Sequence, residues 1–296
     1  MRTSLAAFTL ALGAPTLASA LALSDYVVAG SFALPAVSAS EASAVAYNPD
    51  TGTLFVLGDE GDALVEVDSA GQELAIMTLT GFDDTEALTY VGGGQFVLAE
   101  ERLRDAYLLS WSPGGSAARS ALATADLGAT VGNVGIEGIA FDSRDASFVF
   151  VKEKTPQEVN LADISFGSPG TANVASLFVP SLGVSDLSDV AVLADVGSLD
   201  GTPGADDFLL YSQESARLLH VTRAGTVLGS LDFSAYSLEA EGVTIDPDGT
   251  IYIVAESSVA SAGPTLFVLT AVPEPTSGVL VAAGLVLLAA RRNRSR

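Results

Sequence analysis

One phrase recurs five times along this chain: a small or acidic residue, a short apolar strand, a Gly/Asp turn, a second apolar strand and a closing acid. Its first position falls at Ser43, Glu86, Glu137, Ser188 and Glu241, with spacings of 43, 51, 51 and 53 residues. A period of that length suits one supersecondary unit per repeat. Short runs rich in β-branched and aromatic residues, separated by turn residues, make the unit a four-stranded antiparallel sheet. The chain is therefore predicted to be all-β, a β-propeller of five four-stranded blades. In such a disc the equivalent positions of every repeat form rings around a central channel.

The fourth repeat carries an insertion over residues 195–207 whose Gly201, Pro203 and Gly204 predict a surface loop. The fifth has only three strands. Its missing fourth is assigned to residues 26–34, which have no other partner, and pairing the first strand with the last blade closes the ring and removes an exposed edge.

Both ends look like targeting segments. Residues 1–22 hold Arg2, an apolar run and small residues through Ala18-Ser19-Ala20, the pattern of a secretory signal peptide cut after Ala20 or Ala22. No cysteine is present, so neither a disulfide nor a thiolate metal site is available. At the other end, Pro273-Glu274-Pro275 leads into an apolar stretch, 278–290, and then Arg291, Arg292, Arg294 and Arg296. Thirteen helical residues rise about 20 Å, short of a hydrocarbon core of roughly 30 Å. Residues 272–296 closely resemble the PEP-CTERM sorting tail of Gram-negative bacteria. That resemblance implies recognition and cleavage by an exosortase, transient anchoring through the tail, and delivery to the cell surface or extracellular matrix.

Between the ends, residues 23–271 are long enough for one propeller with one continuous core. Without Arg2, the four tail arginines and Glu274, the chain's 36 acids and 13 bases become 35 and 8, a net of −27. A surface so acidic repels nucleic acid and anionic lipid and attracts cations.

Several motifs in order, Phe82-Asp83-Asp84-Thr85-Glu86-Ala87 with Glu100-Glu101-Arg102, Ile136-Glu137-Gly138 with Val151-Lys152-Glu153-Lys154, and Ala240-Glu241-Gly242 with Val254-Ala255-Glu256, resemble the SdiA-regulated propeller family. The resemblance spans nearly all of residues 40–269 and implies the propeller without an activity. Ser43 and Ser188 depart from it where the other repeats have Glu, and the fourth repeat has Gln213.

The repeated acids mark the candidate site. The start of an inner strand and the end of the second strand are neighbours in an antiparallel blade. The first place holds Glu86, Glu137 and Glu241, and two residues earlier come Glu41, Asp84, Asp186 and Glu239. The second holds Asp59, Glu100, Glu153 and Glu256. Eleven carboxylates are thus predicted around one mouth of the channel. Such crowding raises each pKa and requires neutralisation. Arg102, Arg104, Lys152 and Lys154, together with backbone N–H groups, are one source. A hard cation is the other, and an oxygen-only ligand set favours Ca²⁺ over Zn²⁺.

The Asp246-Pro247-Asp248-Gly249 and 48–52 stretches read as hairpin turns, because each lacks the later ligands of an EF-hand. His220 is expected on the surface, away from the channel, while Tyr107 and Trp111 are read as packing residues. No phosphate loop, G-x-S-x-G elbow or H-x-x-E-H motif is present. Two functions stay open. The first is an exported module binding calcium and a carbohydrate or surface-protein partner. The second is a metal-dependent hydrolase, lactonase-like or phytase-like, with Glu137 or Glu241 as base.

Overall fold

The computed structural model describes residues 21–272, so the residues 1–20 and 273–296 assigned to the leader and the sorting tail lie outside the described part. Strand β1 (Tyr26–Ala33) comes first. Blade one follows with β2 (Ala42–Asn48), β3 (Thr53–Gly58), β4 (Ala63–Val67) and β5 (Glu73–Thr80). Blade two contains β6 (Thr85–Gly92), β7 (Gln95–Glu100) and β8 (Asp105–Ser110). Then β9 (Ser116–Ala118) leaves to pair in parallel with β5 of blade one, and β10 (Ala123–Asp126) returns to complete blade two. Blade three is β11 (Ile136–Asp142), β12 (Ser147–Lys152), β13 (Glu158–Ser165) and β14 (Thr171–Phe178). Blade four is β15 (Asp189–Val192), β16 (Phe208–Ser212), β17 (Arg217–Val221) and β18 (Val227–Asp232). Blade five is β19 (Glu239–Ile245), β20 (Ile251–Ser257) and β21 (Thr265–Ala271).

The ring closes as the sequence predicts: β1 pairs antiparallel with β21, from Tyr26 opposite Ala271 to Ala33 opposite Thr265, as the outermost strand of blade five. The inner strands β2, β6, β11, β15 and β19 abut one another in sequence order, and β19 returns to β2.

The core is not one continuous body. Each of the five seams between neighbouring blades has its own apolar cluster, because a blade has two faces and must bury both. In the seam between blades one and two, Phe55 and Phe96 are fully buried with ring centroids 4.3 Å apart, and Trp111 packs edge-on to Phe55. Burying side chains of this size stabilises the disc by roughly 1.5–3 kcal/mol each.

Glycine sets how closely the inner strands approach. A Cβ on Gly138 would stand 2.5 Å from the Asp189 Cα of blade four, and one on Gly242 would stand 2.7 Å from the Ser43 carbonyl oxygen of blade one. The space is used by Asp189, which is fully buried and accepts the N–H groups of Val190 and Val243, both at 2.7 Å. Val243 N–H is free for this because the β19–β20 ladder skips residues there.

Residues 195–207 form an irregular loop with two short 3₁₀ turns, but the loop is anchored. Val196 and Leu199 are buried in the seam between blades four and five, and Asp207 Oδ2 lies 2.9 Å from His220 Nε2. This corrects the placement of His220. It is on β17, away from the channel, but only 2% exposed, paired with Leu209 of β16, and Asp207 just before β16 supplies its polar partner. Among the described residues, no helix is long and apolar enough to cross a membrane.

Candidate functional site

One repeated backbone device builds the acidic mouth. In blades one, two and three the N–H of the residue just past the second strand donates to a carbonyl just before the inner strand: Asp59 to Glu41, Glu101 to Asp84, Glu153 to Gly135. Glu41 and Asp84 adopt φ of 49° and 69° to present those carbonyls, a left-handed conformation that costs a non-glycine residue about 1–3 kcal/mol. At the third position a Cβ would lie 2.0 Å from the Glu101 carbonyl oxygen, so only Gly135 fits.

The device shows which acid each of these three blades contributes. In blade two it is Glu101, and not Glu100 as the sequence suggested. The β6–β7 hairpin shifts register between Tyr90 and Gly92, so Val97 sits opposite Thr89, in the place that Phe55 takes opposite Ala46. A one-residue slip turns a side chain to the other face of the strand. Glu100 accordingly points away from the mouth. It is fully buried and accepts the Asp83 N–H at 2.8 Å, the Tyr107 hydroxyl at 2.7 Å and Arg119 Nη1 at 2.9 Å. Glu101 takes the vacated role: it is 1% exposed, Gly135 N–H donates to its Oε1 at 2.8 Å, and it stands beside Glu137 and Glu153.

Asp186 is also withdrawn. It is buried, the Ser212 hydroxyl donates to it, and Glu214 N–H lies 3.2 and 3.1 Å from its two oxygens, so it fastens a blade corner. Of the four bases expected to neutralise the acids, two arrive. Arg102 Nε lies 3.0 Å from Asp84, and Lys154 Nζ lies 2.5 Å from Glu153 Oε1 and 2.8 Å from Glu214. Arg104 turns to Glu158 instead, and Lys152 is buried with its ammonium on the carbonyls of Lys154 and Pro156.

What remains is a ring of carboxylates with little compensation. Oxygens of Glu101, Glu137 and Glu153 lie within 4.8 Å of one another, and a second group, Glu41, Asp59 and Glu60, sits on the rim. Glu153 Oε2 and Asp59 Oδ1 are buried with no hydrogen-bond partner. Glu241 accepts from Gln213 Nε2 at 2.6 Å, and Glu256 lies near Asp59 and Glu239.

Desolvation in the narrow mouth is the first cause of raised pKa throughout, and like charge is the second. Burial, then Glu241, Asp59 and their neighbours, push Glu86 well above the carboxylate range. Burial followed by Glu86 and Glu101 does the same to Glu137. Glu241 is raised to about 8 by burial and by Glu256, Asp84 to about 7 by burial and Glu101, and Asp59 to about 6 by burial and Glu41. Glu86, Glu137 and Glu241 thus favour the protonated form near neutral pH. A cation entering the cluster would replace those protons.

The two calcium-like sequence stretches are turns. Asn48 Oδ1 accepts Asp50 N–H at 2.9 Å, and Asp246 Oδ1 accepts Thr250 N–H at 2.8 Å.

Fold and site together define a five-bladed propeller with a crowded cluster of carboxylates at one mouth of its channel. The chain belongs to the SdiA-regulated family, whose model matches residues 19–261. Among solved structures it is similar to the glutaminyl cyclase of Myxococcus xanthus, with 12% identity over 84% of this chain and 97% of that one and a TM-score of 0.56. It is also similar to a luciferin-regenerating enzyme, with 10% identity over 82% and 95% of the two chains and a TM-score of 0.50. At these identities the likeness is one of fold.

Proposed function

We propose that the protein is an exported calcium-binding propeller whose acidic mouth holds the ion and presents it to a carbohydrate or protein partner at the cell surface. The observation that carries this reading is the group Glu101, Glu137 and Glu153, with oxygens within 4.8 Å of one another and one of them, Glu153 Oε2, buried without a partner. The donor set fits the ion. All ligand atoms are carboxylate oxygens, no imidazole or thiolate is near, and Ca²⁺ accepts irregular oxygen shells at 2.3–2.6 Å. Glu86 feels the charge of Glu101, Glu241 and Asp59 and acts in turn on Glu137, and Glu256 lies beside Glu241 and Asp59.

Metal-dependent hydrolysis is the second reading, favoured by Glu241, whose pKa of about 8 suits proton transfer near neutrality. Bound calcium would polarise a carbonyl or phosphoryl oxygen. Binding of the ion would release the protons held by Glu241 and Glu137 to solvent, and either carboxylate, once ionised, would take the proton from water.

Export and sorting belong to the same proposal. Leu21 is 8% exposed in the seam between blades four and five, which supports cleavage after Ala20, since cleavage after Ala22 would remove it. The Pro-Glu-Pro tail supports exosortase processing. Thermal unfolding of the processed protein in EDTA and then in graded Ca²⁺ and Mg²⁺ tests the binding reading. A saturating rise selective for Ca²⁺ is expected, and Glu101→Gln with Glu137→Gln removes it. An unchanged response in that double variant would take those residues out of the site.

A further inference from the structure

Alternate residues of each inner strand share one side of the extended chain, and they stack three rings along the axis. The mouth acids lie at one end. In the middle, Val45, Leu88, Ile139, Val190 and Val243 are each only 1–3% exposed and close the channel. At the far end Tyr47, Tyr90, Phe141, Val192 and Ile245 form a half-buried ring. The far mouth is thus a blind bowl: an axial hollow of about 100 Å³ opens through this ring into an outer depression of about 440 Å³.

Two exposed carboxylates stand on its rim, Asp50 from the blade-one turn and Asp195 from blade four. The Tyr90 hydroxyl donates to Asp50, and Ser143 Oγ donates to Asp195 at 2.7 Å. The hydroxyl of Tyr47 has no hydrogen-bond partner among the described residues. No Lys, Arg or His lines either part of the bowl.

We propose that this bowl binds a small organic ammonium ion. Three aromatic rings and two carboxylates around a closed apolar floor offer a cation both π-electron density and charge. The aliphatic Val192 and Ile245 would cover its alkyl groups. Anions are repelled, since the lining has acids and no base. A hard metal ion is not served either, because the metal-capable acid groups among the described residues all lie at the opposite mouth. A neutral sugar would gain nothing from the charge.

The test is ligand-observed NMR on the intact processed protein with tetramethylammonium and choline, and with acetate and a methyl glucoside as controls. Saturable binding of both ammonium ions, at roughly millimolar Kd and weakened by salt, is expected. Asp195→Asn and Phe141→Leu should each weaken it about fivefold or more, and the first, at an exposed carboxylate, leaves the fold intact. Glu137→Gln at the opposite mouth leaves ammonium binding unchanged, so the calcium reading and this one fail separately. Absence of saturation by either ammonium ion, equal binding of the glucoside, or indifference to Asp195→Asn overturns the proposal.

Discussion

The two mouths of the channel are built from the same five strands, four residues apart, and have opposite chemistry. At one end each inner strand begins beside the end of a second strand, and acids from both crowd together with raised pKa. At the other end the strands finish in Tyr47, Tyr90, Phe141, Val192 and Ile245, with carboxylates confined to the rim. Closed apolar packing between them keeps the two from communicating through the axis. On the two proposals made above, one scaffold would carry two independent sites, provided the ring is closed and its register holds.

Ring closure carries the largest expected effect. Removing Tyr26–Ala33 exposes the β21 edge and deletes Tyr26 from the seam with blade four, so cooperative unfolding should be lost and both sites with it. A truncated protein with the native Tm would show that neither mouth depends on closure. Next is the approach of neighbouring inner strands: Gly138→Ala forces Cβ against the Asp189 backbone and should destabilise by about 3 kcal/mol, read by denaturant unfolding.

A pair of variants one residue apart sharpens the comparison further. Glu100→Gln weakens a buried carboxylate holding Arg119 and Tyr107 and should cost about 2 kcal/mol while leaving any calcium response intact. Glu101→Gln should do the reverse, abolishing the response with little loss of metal-free stability.

The last effect, spread over several pH units, is in pH. Acids with raised folded-state pKa bind more protons in the native than in the unfolded state, so stability falls as pH rises. In EDTA, Tm should decline from about pH 4, where the unfolded carboxyls ionise, through 6, 7 and 8, where Asp59, Asp84 and Glu241 lose their protons. Saturating calcium should flatten that decline. A metal-free Tm rising over the same range would contradict the carboxylate crowding, whereas variants of Asp50 or Asp195 at the far mouth should leave the profile alone.

Much of this was legible in the sequence because repeats convert spacing into geometry. The five inner strands, the closure by β1 and the concentration of acids at their starts follow from the recurrence at Ser43, Glu86, Glu137, Ser188 and Glu241. What spacing alone misses is pairing. Aligning Phe96 with Phe55 selects Glu100, and only the extra residue accommodated at Gly92 in the hairpin reveals Glu101. The departure of β9 to blade one depends on a long-range pairing that no local pattern encodes, and the turning of Lys152 onto the Lys154 and Pro156 carbonyls depends on the local backbone path rather than on charge. His220 was expected on the surface because its partner, Asp207, is the last residue of the insertion and meets it only through the β16–β17 pairing.

The most direct test of the account is a calorimetric titration of the processed protein with Ca²⁺ at neutral pH in two buffers of different ionisation enthalpy. The account predicts saturable binding with proton release into the buffer, lost in Glu101→Gln/Glu137→Gln. Absence of binding heat in both buffers, or binding without proton release, would contradict it.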